Sequence, residues 1–96
     1  METKITEDDL KYILGEDCKI FREKILSNCF CSKCLANGHE TVTIVDYEIF
    51  LNDQYNDVIL RGFCKNCRRK VVRCLETGEG EKCLERIGEI KKNIKL

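Results

Sequence analysis

The chain has 96 residues, a hydrophobic fraction of 43%, 17 basic and 17 acidic side chains, eight cysteines and no proline. A domain this short buries its core incompletely and calls for a staple, which cysteines supply as disulfides or as metal thiolates. Zero formal net charge withholds the general electrostatic attraction of most nucleic-acid binders, and no stretch approaches the ~20 apolar residues of a membrane span.

In chain order, the first residues, Met-Glu-Thr-Lys-Ile-Thr-Glu-Asp-Asp, carry no basic segment followed by an apolar run, so export is not indicated. A reducing cytoplasm, where thiols stay available for metal, is the expected compartment. Residues 6–27 predict helix: Thr6 with Asp9 three positions on offers an N-cap, and Leu10, Leu14, Cys18, Phe21 and Ile25 recur at steps of three or four. Gly15 weakens the middle and allows a break into two short helices. Residues 41–51 are rich in β-branched and aromatic side chains; Val45, Tyr47, Ile49 and Leu51 alternate with Asp46, Glu48 and a less easily explained Phe50. The polar run 52–57 predicts a turn, 58–63 the returning strand and 70–76 a third strand, which Thr77-Gly78-Glu79-Gly80 ends. Residues 79–95 return to helical spacing with Cys83, Ile87, Ile90 and Ile94, and Leu84 beside them. The expected fold is small, α+β and metal-bound: a three-stranded antiparallel sheet with amphipathic N- and C-terminal helices that cover one face of it or pair with each other. We divide it as an N-terminal helical segment (1–28), a central β unit (29–76) and a C-terminal helix (77–96), forming one compact unit.

Two cysteine pairs punctuate this order, Cys31-Ser-Lys-Cys34 before the hairpin and Cys64-Lys-Asn-Cys67 after it. One C-x-x-C is ambiguous; two of them about thirty residues apart form the pattern of a tetrahedral thiolate zinc site. Each turn supplies two sulfurs at roughly the edge length of a tetrahedron with Zn–S bonds of about 2.3 Å. Cys31, Cys34, Cys64 and Cys67 are therefore the expected Zn2+ ligands. Cys29, in Cys29-Phe-Cys31, is the alternative to Cys31, which alone gives symmetric pairs. Cys74 alternates with Val72 and is expected as a small core residue, Cys18 and Cys83 as buried free thiols on the helices, and His39, the one histidine, as an exposed loop residue.

The stretch 31–76 resembles the rubredoxin-like zinc-ribbon superfamily, a fold found in transcription factors, RNA polymerase subunits, ribosomal proteins and small adaptor domains. More narrowly, Thr-Ile-Val-Asp-Tyr-Glu-Ile-Phe-Leu-Asn-Asp (43–53) with Asp-Val-Ile-Leu-Arg-Gly-Phe-Cys-Lys-Asn-Cys (57–67) is similar to short, functionally uncharacterised bacterial zinc-ribbon proteins. The resemblance covers about half of the chain. It carries over Cys31, Cys34, Cys64 and Cys67 as ligands and no catalytic residue. The chain departs from the usual C-x-x-C-G pattern at Leu35 and Arg68, which stand where a left-handed conformation often takes glycine.

Charge is unevenly placed. Arg61, Lys65, Arg68, Arg69, Lys70 and Arg73 fall within 61–73 with no acid among them, whereas 40–57 carries Glu40, Asp46, Glu48, Asp53 and Asp57 with no lysine or arginine. These basic residues are the candidate nucleic-acid contacts, with Phe63 or Tyr55 as stacking partners. The competing account is structural: a zinc with four thiolates is a dianion that Lys33, Lys65 and Arg68 would stabilise, the other charges pairing across strands.

Four thiolates close the metal's shell, and the histidine-glutamate signature of zinc deaminases, a glycine-rich phosphate loop and a nucleophile elbow are all missing. The expectation is a binding module and not an enzyme, with a protein partner first and nucleic acid as the alternative. Lesser alternatives are an iron-loaded electron carrier and a thiol switch in which oxidation expels zinc. Oligomeric state is left open.

Overall fold

In the computed structural model the described residues are 2–52, 54–77 and 80–93, without the side chains of Asp17 and Arg22. Asp53, Gly78 and Glu79, expected in turns or at a helix start, and Ile94 and Lys95, expected in the last helix, lie outside them.

Four antiparallel strands, β1 (Glu2–Ile5), β2 (Ile44–Asn52), β3 (Asp57–Cys64) and β4 (Lys70–Leu75), lie side by side in sequence order. The expectation of three strands is corrected by β1, which pairs with the far half of β2, Glu2 opposite Asn52 and Ile5 opposite Ile49. Four residues with two charges carry no strand signal of their own. They are held because Ile5 is buried and β2 offers them an edge.

Along β3, Val58, Leu60, Gly62 and Cys64 face the core, and along β4 Val71 and Leu75 do. β2 departs from strict alternation: Ile49 and Leu51 are buried, and so is Ile44, which simple parity would turn outwards. The register shifts between Val45 and Glu48, where Asp46 takes φ 51°, the mark of a β-bulge. Gly62 lies against it; a Cβ there would come within 2.7 Å of the Val45 carbonyl oxygen and 2.8 Å of Tyr47 Cβ. Phe50 consequently belongs to the opposite face from Ile49 and Leu51, beneath the Arg61 guanidinium at 5.9 Å.

The N-terminal helical region starts as expected. Asp9 N–H donates to Thr6 Oγ1 at 3.1 Å and Thr6 N–H donates to Asp9 Oδ2 at 3.0 Å, a capping box that opens α1 (Glu7–Leu14). Gly15, at φ 56° and ψ −123°, ends it in a conformation open essentially to glycine. The chain continues as a 3-10 turn (Gly15–Asp17), α2 (Cys18–Ile20) and a π turn (Phe21–Ile25). After the β-sheet, α4 (Glu81–Asn93) packs on α1; α3 (Ser32–Ala36) belongs to the first cysteine pair and was not anticipated. Leu10, Ile13 and Leu14 of α1 and Ile87 and Ile90 of α4 join the sheet's inner face in one core, with Phe21 edge-on to Tyr47 at 6.5 Å. Arg86 Nη1 donates to the Ile13 carbonyl at 3.3 Å, placing a cation at the carbonyl end of α1. The opposite face of the sheet is tied by exposed ion pairs, Lys4 with Glu48, Arg61 with Glu2 and Arg68 with Asp46, each at 2.7 Å. Among the described residues, no helix is long and apolar enough to cross a membrane.

Candidate metal centre

Both cysteine pairs sit at the same end of the sheet because β2 and β3 are antiparallel neighbours. Cys31 precedes α3 and Cys34 lies within it; Cys64 ends β3 and Cys67 closes the turn into β4. A bridge between Cys29 and Val42 and a bond from the Ile44 N–H to the Leu26 carbonyl at 2.9 Å draw the first pair towards β2. The Lys65 N–H donates to the Thr43 carbonyl at 2.9 Å and fixes the second pair beside it.

The sulfurs of Cys31, Cys34, Cys64 and Cys67 all lie within 4.8 Å of one another. Cys31 and Cys67 are 3.5 Å apart and Cys34 and Cys64 3.6 Å. The edge of a zinc-thiolate tetrahedron is about 3.8 Å for bonds of about 2.3 Å, so the spacing suits a metal and is far too long for disulfides, which take about 2.05 Å. Cys31, Cys34 and Cys64 are buried, Cys67 half-buried, and all four are free thiols. This four-cysteine cluster is able to hold a metal ion.

Local backbone is turned towards the sulfurs. The Cys34 N–H donates to the Cys31 sulfur and, as the chief influence, holds that thiol below its usual range. Burial pushes the Cys64 thiol up, but the N–H groups of Cys67 and Asn66 and the neighbouring Cys34 and Cys67 thiols outweigh it and bring it down to about 7. Burial, reinforced by the other three sulfurs, pushes Cys34 up to about 12. Donors aimed at sulfur favour the thiolate, which is the form that ligates metal.

The two turns solve their geometry differently. Arg68 adopts φ 65°, the left-handed conformation for which glycine is the usual choice. Its guanidinium is held by Asp46 at 2.7 Å and lies over the Phe63 ring at 5.5 Å. Leu35 is instead helical within α3, and the positive φ of that turn falls on Gly38, at 92°.

The remaining cysteines stand apart. Cys29 is buried with its thiol directed at the carbonyls of Ile25 and Leu26, 3.6 and 3.7 Å away, and burial raises its pKa. Cys18 and Cys83 are half-buried against the core, the Cys83 thiol donating to the Ile13 carbonyl at 3.5 Å. Cys74 corrects the expectation of a core residue: it is exposed on the outer face of β4, because Val71 and Leu75 set the inward parity. His39 is exposed and outside the cluster.

The six basic residues do not form one array. Arg61 donates twice to the Glu2 carboxylate, at 2.7 and 3.0 Å, and Arg68 is bound to Asp46. Arg73 is half-buried between Val71 and Leu75 with its Nε lacking an acceptor. Lys65, Arg69 and Lys70 are exposed. Comparison with protein-family models, curated proteins and solved structures returns no match to this chain.

Proposed function

We propose that this chain is a structural zinc module of the zinc-ribbon kind, in which the metal fixes the cysteine end of the sheet and the surface so organised binds a protein partner. The observation that carries the reading is the convergence of four cysteine sulfurs within 4.8 Å of one another. A donor set of thiolates alone suits zinc, and with four protein ligands the shell is closed to water and substrate, so the metal's contribution is folding free energy and not catalysis. Eight free thiols fit a reducing compartment. The commitment of Arg61 and Arg68 to acidic partners and the inward placement of Arg73 favour protein over nucleic acid as the partner class.

Metal removal tests the structural part. In zinc modules, binding contributes on the order of 10 kcal/mol to folding, so a strong chelator should abolish the near-ultraviolet signal and thermal transition of the reduced protein, and added zinc should restore both. An unchanged melting curve in excess chelator, with the metal shown to be gone, would count against it.

A further inference from the structure

Edge strands leave alternate backbone groups without partners. β4 is such an edge, and its ladder tells which residues these are. The Arg68 N–H donates to the Cys64 carbonyl and the Cys64 N–H to the Arg69 carbonyl, both at 2.8 Å. Bonded pairs alternate from that bulge onwards. The bonds to β3 therefore fall at Val71, Arg73 and Leu75, opposite Gly62, Leu60 and Val58, and the N–H and C=O groups of Lys70, Val72 and Cys74 point away from the sheet. No partner bonds them among the described residues.

Two concavities follow one another along this edge. The first, of about 450 Å3, lies between residues 69–72 and the segment Phe30, Cys31 and Ser32. The second, of about 550 Å3, lies between residues 73–77 and a wall that includes Leu14, Ile20 and Ile25. A strand edge facing a helical wall across a trough is the arrangement in which an extended peptide adds a strand, its backbone supplying affinity and its alternate side chains specificity. Apolar side chains stand open beside it, Phe30 59%, Val72 53% and Ile20 50% exposed.

Charge names the occupant. Arg69 and Lys70 line the first concavity without an ion-pair partner among the described residues, whereas Arg61 and Arg68 on the open face have theirs, and the one acid of this edge, Glu76, lies at its far end. Arg73, whose buried Nε has no acceptor, lines the second concavity but faces inward. Residues 69–76 hold one acid, Glu76, so a second copy paired antiparallel offers Arg69 and Lys70 at most that one carboxylate, where an acidic segment offers several.

We infer that the β4 edge accepts an extended acidic segment of a partner protein as a fifth strand, its apolar side chains entering the trough and its carboxylates meeting the exposed Arg69 and Lys70. This rests on the reading of the chain as a protein-binding module and specifies where and what it binds.

The probe is an acetylated octapeptide of alternating valine and glutamate. Its comparisons are a lysine-for-glutamate version and versions N-methylated at every second residue in either phase. Amide hydrogen exchange on the full chain, with zinc content measured on the same sample, gives the readout. The acidic peptide should slow exchange at Lys70, Val72 and Cys74 by about tenfold or more at saturation. One N-methylated phase should bind about tenfold more weakly through lost backbone bonds, and the double variant Arg69→Glu with Lys70→Glu, both exposed, should shift preference to the lysine peptide. The inference is overturned by no protection with the acidic peptide, by equal protection with the lysine peptide, or by protection at those amides from self-association in the protein alone. Acidic-peptide protection on another face would overturn it while leaving a protein-binding module in place. A single-stranded oligonucleotide that protects the edge where the peptide does not would overturn that reading too.

Discussion

Gly62 and Arg68 show how much of the sheet's shape rests on single backbone positions. The bulge at Asp46 brings the Val45 carbonyl and Tyr47 Cβ onto β3 at the one place where β3 has no side chain. Gly62→Ala forces atoms into a space bounded by backbone, and overpacking of this kind costs about 1–3 kcal/mol. Gly88, inside α4, meets nothing within 4 Å of its ideal Cβ, so Gly88→Ala should stabilise by about 1 kcal/mol through helix propensity. Urea unfolding of both variants checks the contrast, and two effects of the same sign would contradict the account of the bulge. The sequence flagged Arg68 as standing where glycine is usual; the strain there is real, at φ 65°, and the side chain that glycine would lack is held by Asp46 and Phe63. Neither Asp46 as bulge residue nor Gly62 as its complement was legible, because alternation by two cannot register one extra residue.

At the scale of elements, the parts that signal locally were readable and the parts that borrow stability were not. The Thr6 cap, the break at Gly15 and the strands after residue 43 carry their own chemistry in their residues. β1 does not: it exists through β2 and through Arg61, which reaches from β3 to Glu2. The Arg61 guanidinium holds the Glu2 carboxyl below its usual pKa. A lowered folded pKa contributes stability that is present above the unfolded value and lost as pH falls through the folded one. Protection of the Thr3 amide relative to β3 amides should therefore decline below the usual carboxylate range, modestly because the pair is exposed, and Glu2→Gln should flatten that dependence. An unchanged pH profile in Glu2→Gln would remove the tie from the account. The α1–α4 contact makes a larger claim. Ile87 is 1% exposed, and Ile87→Ala should cost about 2–5 kcal/mol, read as a lower urea midpoint at unchanged slope; a cost near zero would mean that α4 does not complete the core.

For the whole molecule, spacing in the sequence points to the same four cysteines that converge in space, and it does so because a metal cage is specified by short local turns joined by a hairpin. Cys74 was misplaced because its exposure depends on parity set by Val71 and Leu75. The unequal fates of the basic residues were hidden because Glu2 and Asp46 are remote from Arg61 and Arg68 in sequence. What the four sulfurs do together decides the rest, since their cluster joins the segment around α3 to the end of β3 and the turn after it. Native mass spectrometry of the reduced protein tests this most directly. The account predicts one zinc per chain, retained by Cys29→Ser and by Cys74→Ser and lost with Cys64→Ser; a folded chain that binds no metal, or one whose zinc survives Cys64→Ser, would contradict it.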